Sequence, residues 1–153
     1  MGLFGVASSA LPSPAQPATG GTAKDEIRIV ELQGTAEVST DGGANWVSTL
    51  TNQVLKPSWH VRTGPNSRVT LRWSDQSVAP FGALTEIEIL PAHKAGAQSG
   101  LHLIKGILSF FHRDEPGRIR VITRGAVAGV EGTEFIIAVD TVNNTERTRV
   151  WVV

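Results

Sequence analysis

The chain has 153 residues, 14 basic and 14 acidic side chains with a formal charge of zero, 16 Gly, 8 Pro and no Cys. That balance speaks against a nucleic-acid module, which needs a basic excess to hold phosphates. The missing Cys exclude disulfide frameworks, thiolate zinc sites, iron–sulfur clusters and a Cys nucleophile, and a chain of this length can bury roughly 70% of its extended surface without such staples.

Residues 1–25 are rich in Ala, Pro, Ser and Gly and carry no charge before Lys24. Such a composition buries too little apolar surface to offset ordering, so a disordered N-terminal arm is predicted. Its apolar stretch at 3–10 also resembles the end of a secretory signal, but it lacks a basic start and is shorter than the usual apolar region. The arm is therefore read as a flexible arm or signal remnant. Gly2 is a poor myristoylation site, because Val6 stands where Ser or Thr is wanted. No run of 18 apolar residues occurs, so no transmembrane helix is predicted.

Residues 26–153 are predicted to form a single all-β domain, because the hydrophobic period from Glu26 onward is two rather than 3.6. Ile27 and Ile29 alternate with Glu26, Arg28 and Val30. Val69, Leu71 and Trp73 oppose Arg68, Thr70, Arg72 and Ser74; Thr85, Ile87 and Ile89 oppose Glu86 and Glu88; Ile119 and Val121 oppose Arg118 and Arg120. Each pattern sets one row on a core and one in water. The apolar runs at 101–104, 107–111 and 135–139 read as more deeply buried strands. Turns fall between them at Asp41-Gly42-Gly43, Gly64-Pro65-Asn66-Ser67, Ser74-Asp75-Gln76-Ser77, Glu115-Pro116-Gly117 and residues 140–144. Residues 91–100 read as a surface loop. This spacing predicts a β-solenoid-like body or a two-sheet sandwich of short strands. Gln33-Gly34 and Lys105-Gly106 both place a polar residue and Gly before a strand, a faint internal echo.

Catalytic chemistry is sparse. His60, His93, His102 and His112 form no HxH or HExxH pattern, so no metal is predicted. Glu86 and Glu88 share one strand face and read as solvated surface. No GxSxG, P-loop or GxGxxG occurs, and Gly125 to Gly129 has no helix after it to aim amides at phosphate. No catalytic residue and no cofactor are predicted. Trp73 belongs to a core face, whereas Trp46 and Trp59 flank turns and are candidates for stacking on sugar rings. In the last strand Arg147, Arg149 and Trp151 share one face, and these are residue types enriched at protein interfaces. The alternative is an edge strand protected by charge.

Several segments in order resemble the FecR domain family. They are Val30-Glu31-Leu32-Gln33-Gly34, Asn45-Trp46-Val47, the stretch Val61-Arg62-Thr63-Gly64-Pro65-Asn66-Ser67-Arg68-Val69-Thr70-Leu71 and Ser74-Asp75-Gln76-Ser77. Lys105-Gly106-Ile107-Leu108-Ser109-Phe110 and Val130-Glu131-Gly132-Thr133-Glu134-Phe135-Ile136-Ile137 complete the series. The resemblance implies that Thr63, Gly64, Asp75, Gly106, Gly132, Thr133 and Phe135 define the fold, with Lys105-Gly106 opening a strand and Phe135 anchoring the core. Gln76 replaces the usual Gly of the Asp-Gly-Ser turn, and Glu131 stands where Arg is frequent. The family pattern also continues past the position of Val153 with another turn and strand. The resemblance further implies an extracytoplasmic setting, in the periplasm or at the cell surface, and a non-catalytic role in protein binding or signal relay across the envelope. The expected partner is a protein of the cell envelope, with self-association through the C-terminal strand as a second expectation and no nucleic acid. The alternative function is a carbohydrate-binding module using Trp46 and Trp59.

Overall fold

The computed structural model describes residues 26–92, 99–111, 120–124, 127–128 and 134–152. The period-two stretches form strands: β1 (Ile27–Gln33), β2 (Ala36–Ser39), β3 (Val47–Ser48), β4 (Val54–Leu55), β5 (His60–Thr63), β6 (Arg68–Trp73), β7 (Val78–Phe81) and β8 (Glu86–Leu90). After them come β9 (Gly100–Phe111), β10 (Val121–Ile122), β11 (Val127–Ala128), β12 (Glu134–Val142) and β13 (Thr145–Val152). Among the described residues there is no helix.

The strands make one sheet curled on itself into two facing layers. One layer runs β4-β1-β6-β7, then the C-terminal half of β9, then β12 and β13. The other runs β3-β2-β5-β8, then the N-terminal half of β9, then β10 and β11. All neighbours are antiparallel except β9 and β10. Of the two arrangements expected, this is the two-layered one, since stacked solenoid coils would set successive strands parallel.

Alternate side chains from both layers meet in a single core that includes Ile27, Ile29, Val61, Leu71, Ile87, Ile89, Leu103 and Leu108. Three aromatic rings fill its centre. Phe110 stacks on Phe135 at 5.1 Å between centroids and meets Trp73 edge-on at 6.0 Å. Such pairs add about 0.5–1.5 kcal/mol each beyond the burial of their surface. The Trp73 indole N–H donates to the Ser99 carbonyl at 2.9 Å, so no donor is left unpaired there.

The chain crosses between layers again and again, and the crossings stack into one ridge. Gly34 (φ 78) lies between β1 and β2, Asn66 (φ 52) between β5 and β6, Leu84 (φ 51) between β7 and β8, and Gly106 (φ 103) inside β9. Hydroxyls tie the ridge together. The Thr63 hydroxyl donates to the Gly82 carbonyl at 2.6 Å and accepts from the Thr85 amide at 3.0 Å. The Thr85 hydroxyl accepts from the Ile107 amide at 3.2 Å, and Ser67 Oγ from the Thr35 amide at 2.9 Å. Gly64 has ordinary φ; its role is close approach, because a side chain there would strike the Thr35 hydroxyl.

Three sequence expectations change, and the Asp75 turn keeps its form. Lys105-Gly106 does not open a strand: Gly106 sits in the interior of the longest strand, where β9 passes from one layer to the other. The echo of Gln33-Gly34 is therefore a shared layer crossing rather than a repeat. The runs at 101–104 and 107–111 are half-buried, not deeply buried, because each strand has only one layer beside it; Ile107 is 45% exposed. The last turn is only Asn143-Asn144, both with positive φ, and β12 extends to Val142. Asp75 closes its turn by accepting from the Ser77 amide at 2.9 Å, and Gln76 (φ 72) adopts the left-handed backbone that the family's Gly would take.

Candidate protein-binding face

β9, β12 and β13 lie side by side, and their register decides which side chains face outward. Phe110 and Leu108 oppose Phe135 and Ile137 on the core side. Outward-facing rows follow between them: Ile107, Ala138 and Arg149 in one, Ser109, Ile136 and Trp151 in the next. Asp140 and Arg147 pair beyond them. Arg147, Arg149 and Trp151 thus share one face of β13, joined there by Ile136 from its hairpin partner β12 and by Ile107 from β9, remote in sequence. Trp151 is 44% exposed. The Arg149 guanidinium pairs with the Asp140 carboxylate and lies 5.6 Å from the Trp151 ring centroid. The second carboxylate oxygen of Asp140 is buried without a hydrogen-bond partner.

The outer face of the second layer is built differently. Across β2, β5, β8 and β9 one row reads Glu37, Arg62, Glu86, Lys105 and the next Ser39, His60, Glu88, His102. Opposite charges alternate along the first row, the arrangement that stabilises cross-strand pairs. Arg62 binds Glu37 at 2.9 Å. His60 Nδ1 lies 3.6 Å from Glu86 and its Nε2 3.9 Å from Glu88, while His102 Nδ1 lies 3.3 Å from Glu88. Glu86 thus faces an imidazole from β5 and Glu88 faces imidazoles from both neighbouring strands, a placement that the sequence, with its His residues far away, does not reveal. Among the described residues no group of three or more His, Asp or Glu is placed to hold a metal ion. A shallow groove of about 450 Å³ borders this face, lined by Thr35, Glu37, Ser48, Arg62, Leu84 and Lys105.

The sugar-stacking candidates are engaged within the fold. Arg62 covers the Trp46 ring at 4.0 Å, His60 meets it edge-on at 6.3 Å, and its indole N–H donates to the Gly43 carbonyl. Trp59 packs against the core. The loop bearing Trp46 is held by Asp41, which accepts from the Asn45 side chain and amide and from the Ser39 hydroxyl. These hydrogen bonds, the Asn45 side chain's foremost, push the Asp41 carboxyl down to about 2.

Of the remaining fold-defining candidates, Phe135 is 1% exposed and Thr63 5%. Gly132, Thr133, Glu131, His93, His112, Ile119, the Glu115-Pro116-Gly117 turn and most of the 91–100 loop lie outside the described residues.

An all-β body of two layers sharing one long strand, with rows of side chains turned outward on both layers, defines the class of this β module. The family model described as FecR protein matches residues 60–153. The chain belongs to the FecR family, a regulatory, signalling-related family that is generally non-catalytic and typically envelope-associated. No curated protein and no solved structure matches the chain. The match begins at β5, yet Ile27, Ile29, Val38 and Leu55 from β1, β2 and β4 belong to the same core.

Proposed function

We propose that residues 26–153 act as a non-catalytic, extracytoplasmic relay domain that binds a protein partner of the cell envelope through the outer face of β9, β12 and β13, with residues 1–25 as an arm. The observation carrying this reading is the apolar run of β12. Phe135, Ile137 and Val139 fill the core, and Ile136 and Ala138 turn outward beside Ile107 and Trp151. A run apolar on both faces suits a strand covered on both sides. The Trp and Arg residues around it are the types that dominate interface energetics. Arg62 over one face of Trp46, and the packing of half-buried Trp59 against the core, favour this reading over the carbohydrate one.

The test is a photo-crosslinking residue placed at Trp151 in the protein in its native envelope, with Arg72 on the outer face of β6 as control. Crosslinks to one defined protein from position 151 and none from 72 are expected. Trp151→Ala should weaken that complex about 30-fold, the equivalent of roughly 2 kcal/mol for an interface anchor. Equal crosslinking from both positions, or none from 151, refutes the assignment.

A further inference from the structure

The groove on the second layer holds three side chains whose placement the fold itself does not require. β8 lies between β5 and β9, and the register sets Arg62, Glu86 and Lys105 in one row. The backbones of Arg62 and Lys105 are therefore about 10 Å apart, two strand spacings. Arg62 and Lys105 line the groove, whereas Glu86 between them turns toward His60 and does not.

The two cations differ in how they are held. Arg62 is fixed on two sides: its Nε and Nη2 bind Glu37 at 3.0 and 2.9 Å, and its guanidinium lies 4.0 Å from the Trp46 ring centroid. Its Nη1 has no partner among the described residues. A guanidinium already held in place loses little freedom when it takes a further contact. Lys105 is exposed and makes no ion pair among the described residues.

Leu84 stands just before β8, between the two cations and on the ridge side of the groove. It is 61% exposed and has φ of 51. Its amide donates to the Gly64 carbonyl at 3.2 Å, which fixes the backbone and asks nothing of the side chain. Gly would take this backbone without strain and would leave less apolar surface in water. A bulky apolar side chain held outward on left-handed backbone serves neither packing nor solubility, and such outliers gather at binding sites.

We propose that this groove is a second binding site, for an extended acidic segment of a protein with an apolar side chain set between two carboxylates. The apolar side chain covers Leu84, one carboxylate takes Arg62 Nη1, and the other takes the Lys105 ammonium. In an extended segment residues two apart share a face. Two carboxylates flanking an apolar residue on that face are thus about 13 Å apart, a span that the long Arg and Lys side chains reach from their strands. The site lies on the other layer from the face proposed above and stands independently of it.

The test is an amide NMR titration of the full chain with the peptide Ser-Asp-Ser-Leu-Ser-Asp-Ser, blocked at both ends. Shifts should gather at Arg62, Leu84 and Lys105, spare Trp151, and weaken as salt rises. Leu84→Gly should weaken binding about tenfold while making the chain more resistant to urea, so the loss is not one of folding. Lys105→Gln should weaken it about fivefold and flatten the salt dependence. The same peptide with Asn for both Asp should not bind. No saturable shifts, equal binding by the Asn peptide, or unchanged binding by Leu84→Gly overturns the site. Lower stability of Leu84→Gly would show that the side chain serves the fold and overturns the argument as well. Shifts gathered at Trp151 instead would overturn the groove and leave the proposed function standing. Absent crosslinks from position 151, with shifts at the groove, would do the reverse.

Discussion

Replacing Gly106 by Ala tests the layer crossing on which the fold turns. Gly106 has φ of 103, which an L residue adopts only at a cost of roughly 1–3 kcal/mol. An added Cβ would lie 2.6 Å from both Cα and Cβ of Thr85, on the neighbouring crossing. Contact with a backbone atom at that distance forces one of the two chains to shift, a form of overpacking that costs about 1–3 kcal/mol. Ala gives back roughly 0.4–1 kcal/mol through the lower entropy of the unfolded chain. The net loss is about 3 kcal/mol, a large part of the roughly 5–15 kcal/mol that holds a typical domain. Urea unfolding followed by tryptophan emission measures it, and melting should fall by roughly 10 °C. Gly42→Ala is the control, since Gly42 has φ of 76 but nothing within 4 Å of the added carbon. It should lose only about 1 kcal/mol. Thr85→Ala in the Gly106→Ala background should not rescue, because the Thr85 backbone remains in the way. Equal losses at 42 and 106 would refute the argument that the crossing is sterically closed.

Three further outcomes follow from the same geometry. Gln76→Gly and Leu84→Gly should each stabilise the protein by up to about 1 kcal/mol in urea unfolding, because both residues hold left-handed backbone, with φ of 72 and 51, that Gly adopts without strain. Asp41 has a depressed carboxyl, so its contribution is fully present above its ordinary value of 3.8 and is lost as pH falls toward 2. Trp46 emission should change across that window as the loop loosens, and Asp41→Asn should abolish the change. A fragment of residues 60–153, the span of the family match, should show no cooperative unfolding transition. It lacks Ile27, Ile29, Val38 and Leu55, each worth roughly 1.5–3 kcal/mol of buried surface.

The strands were legible wherever apolar and polar residues alternate. Ile27 and Ile29, Val69 to Trp73, and Thr85 to Ile89 all place their apolar members in the core. The run at 107–111 misled, since it read as deeply buried and Ile107 is 45% exposed, whereas 135–139 is buried at every position but Ile136. Nothing in a strand's own residues tells whether a second layer covers its far face. Gly106 misled for a related reason. A glycine after a lysine suits a turn before a strand, and only the passage of β9 between two layers explains one in the middle. The His–Glu rows lay beyond reach altogether, because His60, Glu88 and His102 become neighbours through strand order, which no local pattern encodes.

The glycines and hydroxyls of the family's short motifs fall mainly on one ridge, although two of those motifs also carry Ile107 and Ile136 of the proposed face. Thr63-Gly64, Ser67, Thr85 and Gly106 cluster on the ridge where the chain changes layers. Each hydroxyl there pairs with a backbone group of its own or a neighbouring crossing. These positions tolerate few residues because a Cβ or a missing hydroxyl disturbs two crossings together, so a recognisable pattern in sequence marks the frame. Ile107, Ile136 and Trp151 meet few such demands: their side chains point away from the core, and the fold permits many residues there. A binding surface placed on outward positions can vary with its partner while the ridge beneath stays the same. Recognition of this frame is therefore strong evidence for the fold and says nothing of the partner.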